Sequence, residues 1–538
     1  MKLKNLEVKQ LNHLGMVAGI CEEAELVDLI NGCIGVQEKK VSVGEGVLAM
    51  ILNALGFSNR ALYLTPDYLK HKPVDVLINK DLVASDFNDD SLGRSLDKLY
   101  AAGITEVFYK IAHGVCQKFN ISHKYVHLDS TTFSFHGENY RSKDEECPVK
   151  VTRGFSKDNH PELNQVVCNL ICSYKSTLPL WLEVLSGNTS DKTSFKKSIY
   201  SFANAIKSGN KNLPVFVADS ALYSETNIKS LSEVQWITRV PEVINDAKRF
   251  VDTADRRHMY KCDSSGYWYE EQSSNYGGID QTWFVFYSEK AFLREQKTFE
   301  KNLNKAEIKY DKELLHLKNI KFNCHDDAVS AVKKIIKKWK HHSLQYDIKT
   351  KQMFGKSGRP KLAQTPSSIY YFVKGVIVKN KSEITKSLSR KGKFIIATNQ
   401  DREKITPEEI LNIYKNQGVS VERGFRFLKD PIFYAESLYL KKPERIMSLI
   451  MVMTLSLLVY SIAEMELKKR LELQGIEVKN SVGKLVLSLT FRRVLQMFQD
   501  IVLVIHDANE RQVMNLEKDH ETILKALGPV VKKYYFLN

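Results

Sequence analysis

The chain has 538 residues, 43% hydrophobic and 26% charged, the balance of an ordinary soluble globular protein with room for about three domains. Its 79 Lys and Arg against 63 Asp and Glu leave a net charge of +16, which points to a polyanionic partner: nucleic acid or, less specifically, an anionic membrane. The eight cysteines form no Cys-x-x-Cys pair and no repeated spacing, so neither a zinc site nor a disulfide framework is indicated and a reducing cytoplasm fits best.

In chain order, the start MKLKNLEVKQLNHLG lacks the apolar core of a signal peptide. Residues 1–120 read as a helical domain for DNA binding or dimerisation. SVGEGVLAMILNALGF and DDSLGRSLDKLYAAG show apolar positions at helical spacing, the second capped by Asp90 or Ser91 and closed by Gly103.

At Lys124 the period changes. KYVHLDSTTF, QVVCNLICSY and LPLWLEVLSG read as strands, SDKTSFKKSIYSFANAI as a helix, LPVFVADSAL as a buried strand, a short helix follows from about Glu225, and VQWITRV is a further strand. Three strands, helix, strand, helix, strand is the order of a ribonuclease-H-like core lacking its last helix. Residues 121–240 are therefore its first part, 241–395 a mixed, β-rich insertion, 396–475 its second part and 476–538 a helical C-terminal region.

Within the insertion, CDSSGYWYEEQ and DQTWFVFYS suggest strands, and the charged stretch KAFLREQKTFEKNLNKAEIKYDKELLHL suggests an amphipathic helix. AVKKIIKKWKHH places Val332, Ile335, Ile336 and Trp339 on one stripe, with Lys333, Lys337 and Lys340 off it as candidate phosphate contacts. Arg359, in a Gly-Arg-Pro setting, reads first as part of a surface turn and is otherwise a candidate for a narrow minor groove. Trp283 and Trp339 are candidates, by residue type alone, for holding a flipped base.

The missing helix is supplied by TPEEILNIYKNQGVSVERGFRFLK, where Thr406, Pro407 and Glu409 read as a capping box and Asp430-Pro431 as the stop. Val421, Phe425 and Leu428 form a buried stripe, with Glu422, Arg426 and Lys429 on the stripe beside it. The bland alternative for Glu422 is an intrahelical pair with Arg426. Ile446 to Ala463 carries no charge and touches the lower limit of a membrane span, but Ser448, Thr454, Ser456, Tyr460 and Ser461 dilute it, so it is expected to be a core helix.

Asp129 and Asp219 each close an apolar run, YVHL and VFVA. In this strand order they lie on parallel neighbours and emerge at one end of the sheet. With Glu422 they make a set of three carboxylates that repel one another unless divalent cations lie between them, and Mg²⁺ or Mn²⁺ takes such hard oxygens. Two ions can activate a water or a 3′-hydroxyl for in-line phosphoryl displacement. Taken singly, Asp129 before Ser130-Thr131-Thr132 can make an Asx-turn, and Asp219-Ser220 can cap the next helix.

HLDSTTF, GFSKDNHPELNQ, SGNTSDKTSF, FVADSALYS and YKNQGVSVERGFRFLKDP, with LYLKKPERI and LTFRRVLQMF, resemble the D-D-E transposases of bacterial insertion sequences, in the insertion-sequence-four family and its 1634 group. The resemblance covers nearly the whole chain. It implies a ribonuclease-H-like core interrupted by a β-rich insertion, with Asp129, Asp219 and Glu422 as the catalytic, metal-binding triad for two Mg²⁺ or Mn²⁺ ions. The family block Tyr-x2-Arg-x3-Glu-x6-Lys matches at Tyr414, Glu422 and Lys429. Gln417 stands where Arg is usual and is followed by one extra residue, which Gly418 can absorb. Tyr414, Gln417, Arg423, Arg426 and Lys429 are thus candidate DNA contacts.

The function expected is cleavage at the terminal inverted repeats of a mobile element and joining of the 3′-hydroxyl ends to target DNA. It would be carried out by a homodimer in a paired-end complex, cytoplasmic and nucleoid-associated, without a membrane partner. The alternatives are a catalytically inactive DNA-binding regulator on the same scaffold, or a tyrosine recombinase using Tyr534 or Tyr535 with Arg492 and Arg493.

Overall fold

The computed structural model describes residues 6–35, 39–57, 62–136, 140, 147–207, 212–355, 365–430, 440–480, 482–506 and 510–537, excepting the side chains of 419 and 420. It divides into two compact units, one comprising Met1–Thr238, Asn275–Gln281 and Thr398–Asn538, the other Arg239–Ser274 and Thr282–Ala397.

The first unit opens with a short strand, β1 (Glu7–Gln10), and then a series of helices. Val43–Leu55 begins at a capping box in which Ser42 accepts from the Glu45 N–H and Glu45 accepts from the Ser42 N–H. Asp89–Ala101 is capped by Asn88, whose Oδ1 accepts from the Ser91 N–H; the expected caps, Asp90 and Ser91, lie inside the helix. The domain is not wholly helical, because β1 pairs antiparallel with Val502–His506, which also pairs with Glu510–Met514. The C-terminal region likewise mixes these strands with helices. Runs of four or five residues whose partner lies some 500 positions away in sequence leave no local period to read.

The central sheet follows: β2 (Tyr125–Phe135), β3 (Asn164–Ser173), β4 (Pro179–Ser186), β5 (Val215–Ala218) and β6 (Trp236–Val240). Their order is β4-β3-β2-β5-β6, with β4, β3 and β2 antiparallel and β2, β5 and β6 parallel. The connection from β4 to β5 is the helix Asp191–Lys207, which buries Phe195, Ile199, Phe202, Ala203 and Ile206. That spacing is one apolar stripe of a helix lying on a sheet.

The helix Pro443–Gln474 is long and apolar enough to cross a membrane, but 94% of its most apolar window is buried within the protein, as expected of a core helix. Its hydroxyls are satisfied inside the fold: Ser448 donates to the Leu96 and Glu444 carbonyls, and Thr454 to Ile450.

The second unit contains the strands Tyr267–Tyr276 and Ile279–Ser288, apart from their shared tip, and the 30-residue helix Glu289–Lys318. The basic helix His325–Ile336 ends before Trp339. Two long strands, His342–Met353 and Ser368–Lys379, form an antiparallel ribbon that the sequence reading did not assign. Its signal was the β-branched and aromatic run SIYYFVKGVIVK. Leu314, Leu317, Ala328, Val332, Trp339, Leu344 and Val373 make the core of this part, with Ile335 and Ile336 packed against it.

Candidate active site

The two aspartates are brought together by strand register. Leu128 of β2 lies opposite Ala218 of β5 in the parallel pair, so Asp129 and Asp219 are the next residue on each chain. Asp129 is not the end of its strand. β2 runs on to Phe135 because STTFSF is β-branched and aromatic and keeps β3 as partner, from Asp129 opposite Leu170 to Phe135 opposite Asn164. Asp129 thus stands where β2 loses β5 as a neighbour.

Each aspartate also makes a local backbone bond. Asp129 Oδ1 accepts from the Ser130 N–H at 2.7 Å, and Asp219 Oδ1 from the Ala221 N–H at 2.9 Å. Burial pushes Asp129 up to about 7; the Lys157 ammonium and the Ser130 N–H oppose the shift, and the Asp219 and Asp191 carboxylates add to it. Burial likewise raises Asp219, against the Ala221 N–H and Lys157 and with Asp191.

Two further groups complete this acidic corner. Lys157 Nζ donates to the Ser130 carbonyl at 2.7 Å and to Ser130 Oγ at 2.5 Å, and lies 2.9 Å from Asp191 Oδ2 and 3.9 Å from Asp129 Oδ1. Ser130 Oγ in turn donates to Asp191 Oδ1 at 2.6 Å. Lys157 and Asp191 lie in the stretches GFSKDNHPELNQ and SGNTSDKTSF, whose local pattern assigns neither residue a role. Only the fold brings positions 130, 157 and 191 together.

The stretch from Thr406 is two helices, Pro407–Lys415 and Gln417–Leu428, rather than one. The capping box forms as expected, with Thr406 Oγ1 accepting from the Glu409 N–H and Glu409 accepting from the Thr406 N–H. The break falls at Asn416, where ψ is −6° and the side chain donates to the Asn412 carbonyl. The first helix is tied to the sheet by His127 Nε2–H, which donates to the Ile413 carbonyl at 2.9 Å. Burial holds that imidazole down at about 4, so it is neutral. Side chains alternate along a strand, so Asp129 shares the face of His127 that these helices cover.

In the second helix Val421, Phe425 and Leu428 are buried, while Glu422 and Arg426 are exposed. Gly424 lets the helix approach its neighbour closely, since a Cβ there would lie 3.1 Å from Leu457 Cδ2. The Glu422 carboxylate lies near Gly418, whose added Cβ would be 3.4 Å from Oε2. It makes no ion pair with Arg426 among the described residues. Nor, among those residues, do three His, Cys, Asp or Glu side chains come together around one metal position. The structure sets Asp129 and Asp219 at neighbouring strand positions, links Asp191 to Asp129 through Lys157, and leaves Glu422 exposed on the neighbouring helix. The donors suit a hard divalent cation by type, and an ammonium already serves as counter-ion beside Asp129.

The other candidates divide by environment. Gln417 is buried, and its amide reaches the Leu128 carbonyl at 3.5 Å, so it faces the sheet rather than a phosphate. Tyr414 is half-buried on the first helix. Arg423 is bonded to both oxygens of Glu464, and Lys429 to both oxygens of Asp158. In the second unit Lys333, Lys337 and Lys340 are exposed, and Arg359 lies outside the described residues.

Trp283 and Trp339 are buried, and Trp339 stacks on Tyr310 with its indole N–H on Glu313, so neither ring is open to a base. Tyr535 is buried with its hydroxyl donating to Asn12 O, and Tyr534 donates to Glu22 Oε2. Burial raises both phenols, and Arg492 is paired with Asp430, an arrangement unlike an activated nucleophile beside free arginines.

The family described as "Transposase DDE domain" matches residues 123–459, and that described as "Domain of unknown function (DUF4277)" matches residues 6–113. No curated protein matches the chain. Among solved structures the chain is similar to piggyBac transposase in its synaptic complex with hairpin DNA, at 9% identity and TM-score 0.38, over 92% of this chain and 82% of that one. It is also similar to Mos1 transposase in a paired-end complex with the left transposon end, at 12% identity and TM-score 0.16, over 38% of this chain and 60% of that one. The transposase match spans more than half of the chain and contains Asp129, Asp219 and Glu422. The chain therefore belongs to the family of transposase DDE domains.

Proposed function

We propose that the chain is a DNA transposase of the insertion-sequence-four family, 1634 group, built on a ribonuclease-H-like core. It binds the terminal inverted repeats of its element, cleaves there and joins the 3′-hydroxyl ends to target DNA, as a homodimer holding both ends. The observation that carries this reading is the side-by-side placement of Asp129 and Asp219 by the β2 and β5 register, in a chain of this family.

Asp129, Asp219 and Glu422 would hold two Mg²⁺ or Mn²⁺ ions, which when bound supply an activated oxygen nucleophile and neutralise charge on the phosphate. The chain's own residues do the rest. His127 and Gln417 fasten the two helices over β2, next to Asp129. Arg426 and Lys429, on the surface that carries Glu422, bind backbone phosphates, Lys429 by exchanging Asp158 for the anion. In the second unit Lys333, Lys337 and Lys340 offer a further basic surface for DNA. The protein acts in the cytoplasm, on the nucleoid.

The test is Asp219→Asn, expected to bind end DNA close to wild type yet fail to nick it in Mg²⁺. Retained nicking removes Asp219 from the site. A second reading, a DNA-binding regulator on an inactive scaffold, is favoured by one observation: the described residues close no three-carboxylate metal set. Nicking of end DNA by the wild type, abolished by EDTA, would exclude it.

A further inference from the structure

Lys157 is placed to do more than tie a loop. Its ammonium donates to the Ser130 carbonyl at 2.7 Å and to Ser130 Oγ at 2.5 Å, and forms an ion pair with Asp191 Oδ2 at 2.9 Å. Asp129 receives its charge at 3.9 Å without a hydrogen bond. Asp191 is held from two sides, by Lys157 and by the Ser130 hydroxyl, and is the first residue of the crossover helix. Ser130 is also the residue whose N–H bonds Asp129. The ammonium is therefore anchored to Asp191 and Ser130 and only leans on Asp129.

We propose that Lys157, anchored by Asp191, is the resident counter-ion of the acidic site and competes with divalent cations for Asp129, making it a positioning residue for metal entry. The inference rests on the reading of Asp129 and Asp219 as metal ligands. A cation bound to Asp129 meets a like charge about 4 Å from its ligand, and that repulsion weakens binding until the ammonium moves away. An ammonium that leaves Asp129 keeps two anchors, so the exchange does not require the loop to unfold.

The experiment is calorimetric titration of the full-length protein with Mn²⁺ alone, in the absence of DNA, for wild type, Lys157→Met, Lys157→Arg, Asp129→Asn and Asp219→Asn. With the competing charge removed, Lys157→Met is expected to bind Mn²⁺ about tenfold more tightly, whereas Lys157→Arg, which keeps the charge, stays within about threefold of wild type. Lys157→Gln replaces Lys157→Met where circular dichroism shows the latter unfolded. A merely structural ion pair predicts unchanged or weaker Mn²⁺ binding in Lys157→Met, and that result overturns the inference alone if Asp129→Asn abolishes binding. Unchanged binding in both aspartate variants overturns the metal reading and the inference together.

Discussion

Leu128 and Ala218 face each other across the parallel pair β2 and β5, and this one register sets Asp129 beside Asp219. The arrangement is electrostatically unfavourable without a cation. Burial and the neighbouring carboxylates push Asp129 up to about 7, although Lys157 and a backbone N–H pull the other way. A site that opposes its own ionisation in this way is suited to taking up positive charge.

Substituting Asp129 by Asn should therefore stabilise the cation-free protein at alkaline pH. The folded value, about 7, lies above the ordinary 3.8, so the acid's contribution to stability is full below pH about 4 and is lost as pH rises through about 7. Asn has no such loss. Thermal unfolding in EDTA should show Asp129→Asn gaining about 2–4 kcal/mol on wild type between pH 5 and pH 8. An equal gap at the two pH values would refute the assignment.

Arg423 and Arg426 sit one turn apart and should behave differently. Arg423 is locked to Glu464, which also accepts from the Phe491 N–H at the start of the next helix. Arg423→Ala is expected to lower stability by about 1–2 kcal/mol, a figure discounted for the solvent exposure of the arginine. Arg426 is exposed, so Arg426→Ala should leave the melting temperature unchanged and reduce the salt dependence of DNA binding by about one unit of slope. Binding isotherms at several salt concentrations beside a melting curve separate the two.

Gly187 is a steric requirement of the acidic corner. A Cβ there would lie 2.1 Å from the Gln165 carbonyl oxygen and 2.2 Å from that of Thr152, both fixed by the bridge between residues 152 and 165. Gly187→Ala should cost about 3 kcal/mol, readable by urea denaturation, and should disturb Asp191 four residues on.

His13 should make the protein acid-sensitive. Burial holds it down at about 4 from 6.5, with the Leu55 carbonyl opposing and Lys72 assisting. Its Nε2 bonds that carbonyl at 2.9 Å, and Nδ1 has no partner among the described residues. A lowered folded value means that its stabilisation is present above pH 6.5 and is lost as pH falls towards 4, by about 3 kcal/mol. His13→Gln should flatten this part of the stability profile between pH 7 and pH 4.

Much of the chemistry was legible locally. The apolar runs ending in Asp129 and Asp219, the capping box at Thr406 and the stripe Val421, Phe425, Leu428 are periodic or short-range features, and the backbone obeys them. What local pattern could not reach was contact between distant positions. The helix break at Asn416, where the side-chain amide and the backbone N–H both donate to the Asn412 carbonyl, is a local detail that periodicity does not register. The pairing of β1 with Val502–His506 and the Ser130, Lys157 and Asp191 network have no period at all.

The amino-acid sequence alone determined which carboxylates stand at the ends of buried apolar runs and that the chain is strongly basic, because alternation and charge are properties of neighbouring residues. Only the tertiary structure decided which of those carboxylates meet. Strand register sets Asp129 beside Asp219, loop packing brings Lys157 and Asp191 to them, and the helix carrying Glu422 presents it to solvent. Such distances are set by how non-local segments pack, which no spacing along the chain encodes.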